Sequence, residues 1–151
     1  MNQRLNILDI WVDTISSSEA EEEVLNILRN GRRPHCIFAS NPEKNFSVPK
    51  NPVLYNVYRT ADILLPDGIG MVLAAKFLYG QRMKRIPGVE FMKTICGLAA
   101  AERKTVFIYG AREAVNREAV ERLQHEFPSL RIAGRSNGYI QKAEMPDLIR
   151  Q

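Results

Sequence analysis

The sequence predicts an α/β fold, a mostly parallel sheet with helices on both faces. Short apolar runs recur along the chain, and several stop at a polar or glycine-bearing turn. Between them, apolar residues repeat at helical spacing, so strand and helix alternate as they do in βαβ units.

Taken in order, Leu5, Ile7 and residues 10–12 suggest one or two N-terminal strands. Ser18-Glu19-Ala20-Glu21 reads as a capping box, and Ala20, Val24, Ile27 and Leu28 form a helical apolar face that stops at Gly31. Residues 35–39 read as a strand. The polar turn Ser40-Asn41-Pro42-Glu43 then opens a helical region through Arg59, broken near Pro49 and Pro52. Residues 63–65 are a short buried strand, followed by a helix over 68–79 that is apolar nearly all round and is therefore expected to be buried. A basic loop over 80–87 leads to a helix over 89–102. A strand over 105–109 ends at Gly110-Ala111, and Val115, Ala119, Leu123 and Phe127 mark the next helix. A strand over 130–133 follows. Met145, Leu148 and Ile149 begin a last helical face with no strand after it, so the single domain over 1–151 is expected to be incomplete at its C-terminus. The pattern is Rossmann-like.

A chain of 151 residues suits one domain with a sizeable core. Apolar residues at 45% and charged residues at 25% are ordinary for a folded globular protein and exclude a disordered one. The net charge of +4 favours an anionic partner such as a nucleotide diphosphate or a lipid surface. It is too small for nucleic acid, and no basic stripe with interleaved aromatics is present. Cys36 and Cys96 lie in apolar segments without metal-ligand spacing, and His35 and His125 add no metal pattern. Buried free thiols in a reducing compartment are the expectation, with no metal site. Residues 1–13 lack the apolar core of a signal sequence, and no run reaches transmembrane length, so any membrane contact is expected to be peripheral.

Three polar turns fall at strand ends: Ser40-Asn41-Pro42-Glu43, Pro66-Asp67-Gly68 and Tyr109-Gly110-Ala111-Arg112. In a parallel sheet such turns share one edge, where ligands bind. Asp67 is the first candidate for chemistry, although an Asp before a helix is more commonly an N-cap. A glycine at 110 more often reflects a tight strand-to-helix turn than ligand contact, and the spacing there is not GxGxxG, which disfavours a dinucleotide enzyme. Arg85, ahead of Pro87-Gly88-Val89-Glu90, is placed to clamp a phosphate or to lie in a solvated basic loop.

Four ordered blocks carry a resemblance. They are Asn41-Pro42-Glu43, Ala61-Asp62-Ile63-Leu64-Leu65-Pro66-Asp67-Gly68-Ile69-Gly70, Arg85-Ile86-Pro87-Gly88-Val89-Glu90 and Phe107-Ile108-Tyr109-Gly110-Ala111, with Glu126-Phe127-Pro128 and Asn137-Gly138-Tyr139 beyond them. From about Ile7 onward the chain is similar to the WecG/TagA/CpsF family of bacterial glycosyltransferases. The resemblance implies a metal-independent, cofactor-free inverting transferase. Such an enzyme moves an N-acetylmannosamine-type sugar from a UDP-sugar to an undecaprenyl-diphosphate-linked acceptor, in teichoic acid or cell-surface polysaccharide synthesis. It would work in the cytoplasm, peripherally at the inner face of the membrane. By this match Asp67 is the catalytic base, and Asn41, Ser40 and Gly68 line its pocket. Arg85 steadies a diphosphate, and Gly110 lies by the nucleotide.

Two departures stand out. Many members carry Thr where this chain has Ala39, and members continue past Gln151 into a further strand, a nucleotide-site segment and a membrane-attaching tail. The alternative function is a non-catalytic nucleotide- or phospholipid-binding remnant of such an enzyme. A sheet edge left uncovered predicts a homo-oligomer.

Overall fold

The computed structural model describes residues 3–141 and 143–150; Gln151, where the expected incomplete domain stops, lies outside them. Among the described residues the elements run β1 (Arg4–Ile7), β2 (Ile10–Asp13), α1 (Ser17–Asn30), β3 (Ile37–Ser40), α2 (Lys44–Ser47), α3 (Pro52–Arg59), β4 (Ile63–Pro66), α4 (Ile69–Tyr79), α5 (Gly88–Ala101), β5 (Thr105–Tyr109), α6 (Glu113–Glu126), β6 (Arg131–Ser136) and α7 (Met145–Arg150). β3 pairs with β4, and β5 with β6, both in parallel, while β1 and β2 form an antiparallel hairpin. The α/β, Rossmann-like class read from the sequence is the observed one. The chain divides into two compact units after Thr94, within α5, and each is described by itself.

In the first unit, alternation sends Leu5, Ile7, Ile10 and Val12 into one core with Val48, Tyr58, Ala61, Leu64, Met71 and Ala75. The hairpin turns at Leu8 and Asp9, both at positive φ (49° and 65°). Asn45 Nδ2 donates to the carbonyls of Ile7, at 2.9 Å, and Leu8. An ion pair fastens the hairpin to the rest of the unit. Arg4 Nε and Nη2 donate to Asp13 Oδ1 and Oδ2 at 2.7 and 2.8 Å, and Arg4 Nη1 reaches the Ala61 carbonyl at 2.9 Å. Asp13 is buried, and its Oδ2 accepts from the Leu64 N–H at 2.8 Å. Asp13 raises the Arg4 pKa through that hydrogen bond, against the opposing effect of burial.

At the far end of β4, Asp62 performs a similar service. Its carboxylate accepts from the Cys36 N–H at 2.8 Å, from His35 Nδ1 at 3.0 Å and from Arg33, tying the segment before β3 to β4. Burial works to raise the Asp62 pKa. The Arg33, Cys36 and His35 hydrogen bonds and the Arg33 charge outweigh it and bring the value down to about 2.

Three expectations are corrected. The capping box is centred two residues earlier than the sequence suggested. Ser16 Oγ accepts from the Glu19 N–H at 3.3 Å, and the Glu19 carboxylate accepts from the Ser16 N–H at 2.8 Å. Ser16 and Ser18 each stand three residues before a Glu, and the helix takes the earlier start, with Ala20 and Val24 buried. Helix α4 is not enveloped: Met71 and Ala75 are buried, whereas Ile69, Leu73, Phe77 and Leu78 are exposed. It packs on β1 and β4 through one side only, so its all-round apolar character is not matched by all-round cover. Neither cysteine is in a disulfide, but only Cys96 is buried; Cys36 lies just ahead of β3 and is exposed.

In the second unit, Val106, Ile108 and Ile132 pack with Cys96, Ala99, Ala100, Leu123 and Leu130. The β5–β6 register shifts between Val106 and Phe107, where the Phe107 ring covers the space a Cβ at Gly134 would need. No helix among the described residues is long and apolar enough to cross a membrane.

Two measurements test this frame. Asp13→Ala strands the Arg4 guanidinium and the Leu64 N–H, and urea unfolding should show a loss of about 3–5 kcal/mol. Asp62 has a folded pKa below its unfolded one, so its contribution is full above about pH 4 and lost as the pH falls toward 2. Asp62→Asn should remove on the order of 2 kcal/mol at pH 7 and flatten the acid limb of the stability profile.

Candidate functional site

The β3–β4 register pairs Ser40 with Pro66, so the next residue on each strand, Asn41 and Asp67, follows at the same carboxyl end. The two turns are held together by backbone bonds: the Asp67 and Gly68 N–H groups donate to the Ser40 carbonyl at 3.0 and 3.2 Å. Glycines make the approach possible. A Cβ at Gly68 would stand 2.6 Å from Pro42 Cδ and 3.2 Å from Asn41 Cβ. One at Gly88 would stand 2.7 Å from Ala39 Cβ and 3.7 Å from Asp67 Oδ2. Thus the Asn41, Asp67 and Gly88 segments meet without room for a further side chain.

Asp67 is not the N-cap of α4. That position belongs to Gly68, in extended conformation and with no side-chain cap. The Asp67 carboxyl is therefore left for other partners, and its side chain keeps 22% of its surface exposed. Arg85 reaches back to it: Nε donates to the Asp67 carbonyl, and Nη2 lies 3.5 Å from Oδ1. The loop is anchored beside this contact, where the Ile86 N–H donates to the Pro66 carbonyl at 2.9 Å. A carboxylate at a strand end with a guanidinium along one side can accept a proton and hold an anionic group next to it.

The other expected residues divide into two kinds. Asn41 lies next to Asp67, and its Oδ1 is buried without a hydrogen-bond partner, an unused acceptor in the site. Ser40 is fully buried. Its hydroxyl donates to the Trp11 carbonyl at 2.6 Å and meets the Tyr58 hydroxyl at 3.3 Å, so its side chain builds the turn. Tyr58 is a participant the sequence reading missed. It stacks on Phe38 with ring centroids 5.1 Å apart and donates to the Ala39 carbonyl at 2.9 Å. Burial raises the Tyr58 pKa, the Ser40 bond lowers it, and the Asp67 charge raises it further. Only the aromatic spacing of Tyr55 and Tyr58 along α3 hinted at such a role.

Two cavities adjoin these turns. One of about 430 Å³ is lined by Arg82, Lys84 and Arg85 opposite Thr14, Ser16, Ser17 and the Glu19 carboxylate. The other, about 270 Å³, is lined by Asn41, Lys44 and Tyr58 with the apolar Phe38, Val48 and Leu54. Asp67 lines neither, while its two neighbours, Arg85 and Asn41, each line one. Among the described residues, no group of three His, Cys, Asp or Glu side chains is placed to hold a metal.

Gly110 belongs to the second unit. Its φ of 124° demands glycine, and a Cβ there would meet nothing within 4 Å. The turn is braced by Asn116, buried on α6, whose Nδ2 donates to the carbonyls of Gly110 and Ser136, each at 3.0 Å. The Asn137-Gly138 segment packs on the same turn through the Gly138 N–H, which donates to the Ala111 carbonyl at 2.9 Å. Asn116 was legible only as a polar residue on a helix.

Comparison with known proteins places the chain in a family. Residues 5–151 match the Glycosyl transferase WecG/TagA/CpsF family. An N-acetylglucosaminyldiphosphoundecaprenol N-acetyl-beta-D-mannosaminyltransferase of Bacillus spizizenii is 38% identical over 146 residues, covering 96% of this chain and 56% of the relative. The Bacillus subtilis protein of the same name is 35% identical over 101 residues, 67% of this chain and 40% of the relative. One from Staphylococcus aureus (strain MRSA252) is 26% identical over 138 residues, 91% of this chain and 54% of the relative. The chain spans about half the length of the curated relatives it matches. With residues 5–151 matched by the family and a relative 38% identical over 96% of this chain, the chain belongs to the Glycosyl transferase WecG/TagA/CpsF family.

Proposed function

We propose that this chain carries the base-bearing part of a metal-independent, inverting glycosyltransferase. The reaction moves an N-acetylmannosamine-type sugar from a UDP donor to an undecaprenyl-diphosphate-linked N-acetylglucosamine acceptor. The relatives' names state an N-acetylmannosaminyl transfer to N-acetylglucosaminyldiphosphoundecaprenol. The observation that carries the reading is the Asp67 carboxyl, released from helix capping, in register with Asn41 and touched by Arg85.

In this reaction the acceptor hydroxyl loses its proton to Asp67 as its oxygen bonds to the sugar's anomeric carbon. The bond from that carbon to the diphosphate breaks on the opposite face, and UDP leaves with the electron pair. One displacement inverts the configuration. Charge grows on the departing diphosphate, and Arg85, which lines the larger cavity and touches Asp67, is the cation suited to meet it. Asn41 Oδ1 is suited to accept from a hydroxyl or amide N–H of a bound sugar.

The test is transfer from UDP-N-acetylmannosamine to a short-prenyl N-acetylglucosaminyl diphosphate, read by product mass. Asp67→Asn should lower turnover by roughly 10²–10⁴-fold, the usual contribution of a positioned base, with the fold unchanged by circular dichroism. Turnover retained in Asp67→Asn would remove Asp67 as the base. UDP binding by the unaltered chain without turnover would instead favour a non-catalytic nucleotide-binding piece.

A further inference from the structure

The exposed side of α4 is chemically unlike a solvated helix face. Ile69, Leu73 and Phe77 recur every fourth residue and are 62%, 47% and 81% exposed, on the side opposite the buried Met71 and Ala75. A helix facing water normally reverses this pattern. Neighbouring bonds add to the apolar surface. The Tyr79 hydroxyl donates to the Asn6 carbonyl, which places the end of α4 beside the hairpin whose tip is Leu8, 75% exposed.

The charge along this stretch of chain has one sign. Residues 69–85 include Lys76, Arg82, Lys84 and Arg85 and no acidic residue. All four cations are exposed. Along 69–85 the apolar side chains are flanked by lysine and arginine, with Asp9 at the hairpin tip the one acid beside Leu8, and that is the chemistry of a helix that lies in the headgroup layer of an anionic bilayer. A second protein copy would bring the same positive charge against itself.

We propose that α4 and the following basic loop dock this protein on an anionic membrane surface, with Ile69, Leu73 and Phe77 inserted among the acyl chains and Lys76, Arg82 and Lys84 on the lipid phosphates. The inference deepens the transferase reading and rests on it for its purpose. The stripe begins two residues after Asp67, so docking along α4 holds the candidate base at the depth where a lipid-linked diphosphate presents its sugar. At 1.5 Å per residue the helix covers about 16 Å of surface, enough for one interfacial anchor and far too little for a span.

The experiment is co-sedimentation of the 151-residue chain with phosphatidylglycerol-containing vesicles, against vesicles of phosphatidylcholine alone. Binding should require the anionic lipid and weaken with salt. The double variant Leu73→Ser/Phe77→Ser should bind at least tenfold more weakly, and Lys76→Glu several-fold more weakly. Both leave the buried side of α4 intact, and circular dichroism checks the fold. Val115→Ser, at an exposed apolar site of the second unit, should bind like the unaltered chain. Absence of vesicle binding, equal binding by the stripe variant, or an equal loss in Val115→Ser overturns the proposal. So does a stripe variant that merely converts a dimer to a monomer, since the occupant is then a second copy. The two readings fail separately. Asp67→Asn should bind vesicles normally. Transfer to a water-soluble acceptor without vesicle binding discards the surface alone, and vesicle binding without transfer discards the chemistry alone.

Discussion

The first unit depends on a half-buried ion pair that does the work of a strand ladder. The hairpin of β1 and β2 has its own hydrogen bonds, yet β4 must be joined to it for the core between them to close. Asp13 makes that join by accepting from the Leu64 N–H, and Arg4 neutralises Asp13 while also holding the Ala61 carbonyl. A buried carboxylate is costly unless fully partnered, and here each oxygen has a partner. Because Leu64 lies three residues before Asp67, the pair fixes the strand from which the candidate base projects.

From that strand outward, backbone geometry assembles the site. Parallel register brings Asn41 and Asp67 to one edge, the Ser40 carbonyl gathers two N–H groups, and the missing side chains of Gly68 and Gly88 allow three segments to meet. Tyr58 supports the arrangement from beneath through the Ala39 carbonyl. The candidate residues thus sit at strand ends, with Arg85 supplied by a loop that is itself pinned at Ile86.

Much of this was readable from sequence because the signals are local. Helix and strand periods placed every element, and β5 and α4 were delimited to within a residue. Long-range partnerships were not readable. Nothing near Asp13 announces Leu64, and nothing near Asn116 announces the Gly110 and Ser136 carbonyls, because each contact is made by the fold. The same limit explains α4: composition reports that a helix is apolar, while its surroundings decide which sides are covered. For Asp67 the sequence left capping and chemistry both open. The backbone removes the capping alternative by starting the helix one residue later, at Ile69, with Gly68 as its cap.

The unmatched Asn41 Oδ1 has a bearing on selectivity. A buried acceptor without a donor raises the free energy of the empty protein, by about 1–3 kcal/mol. A ligand that brings an N–H or O–H to that atom gains a hydrogen bond and relieves this penalty together. An analogue lacking the group gains neither and seals the acceptor away from water as well. For any ligand reaching this position, discrimination therefore exceeds what one hydrogen bond ordinarily provides, and it comes from rejecting the wrong ligand more than from attracting the right one.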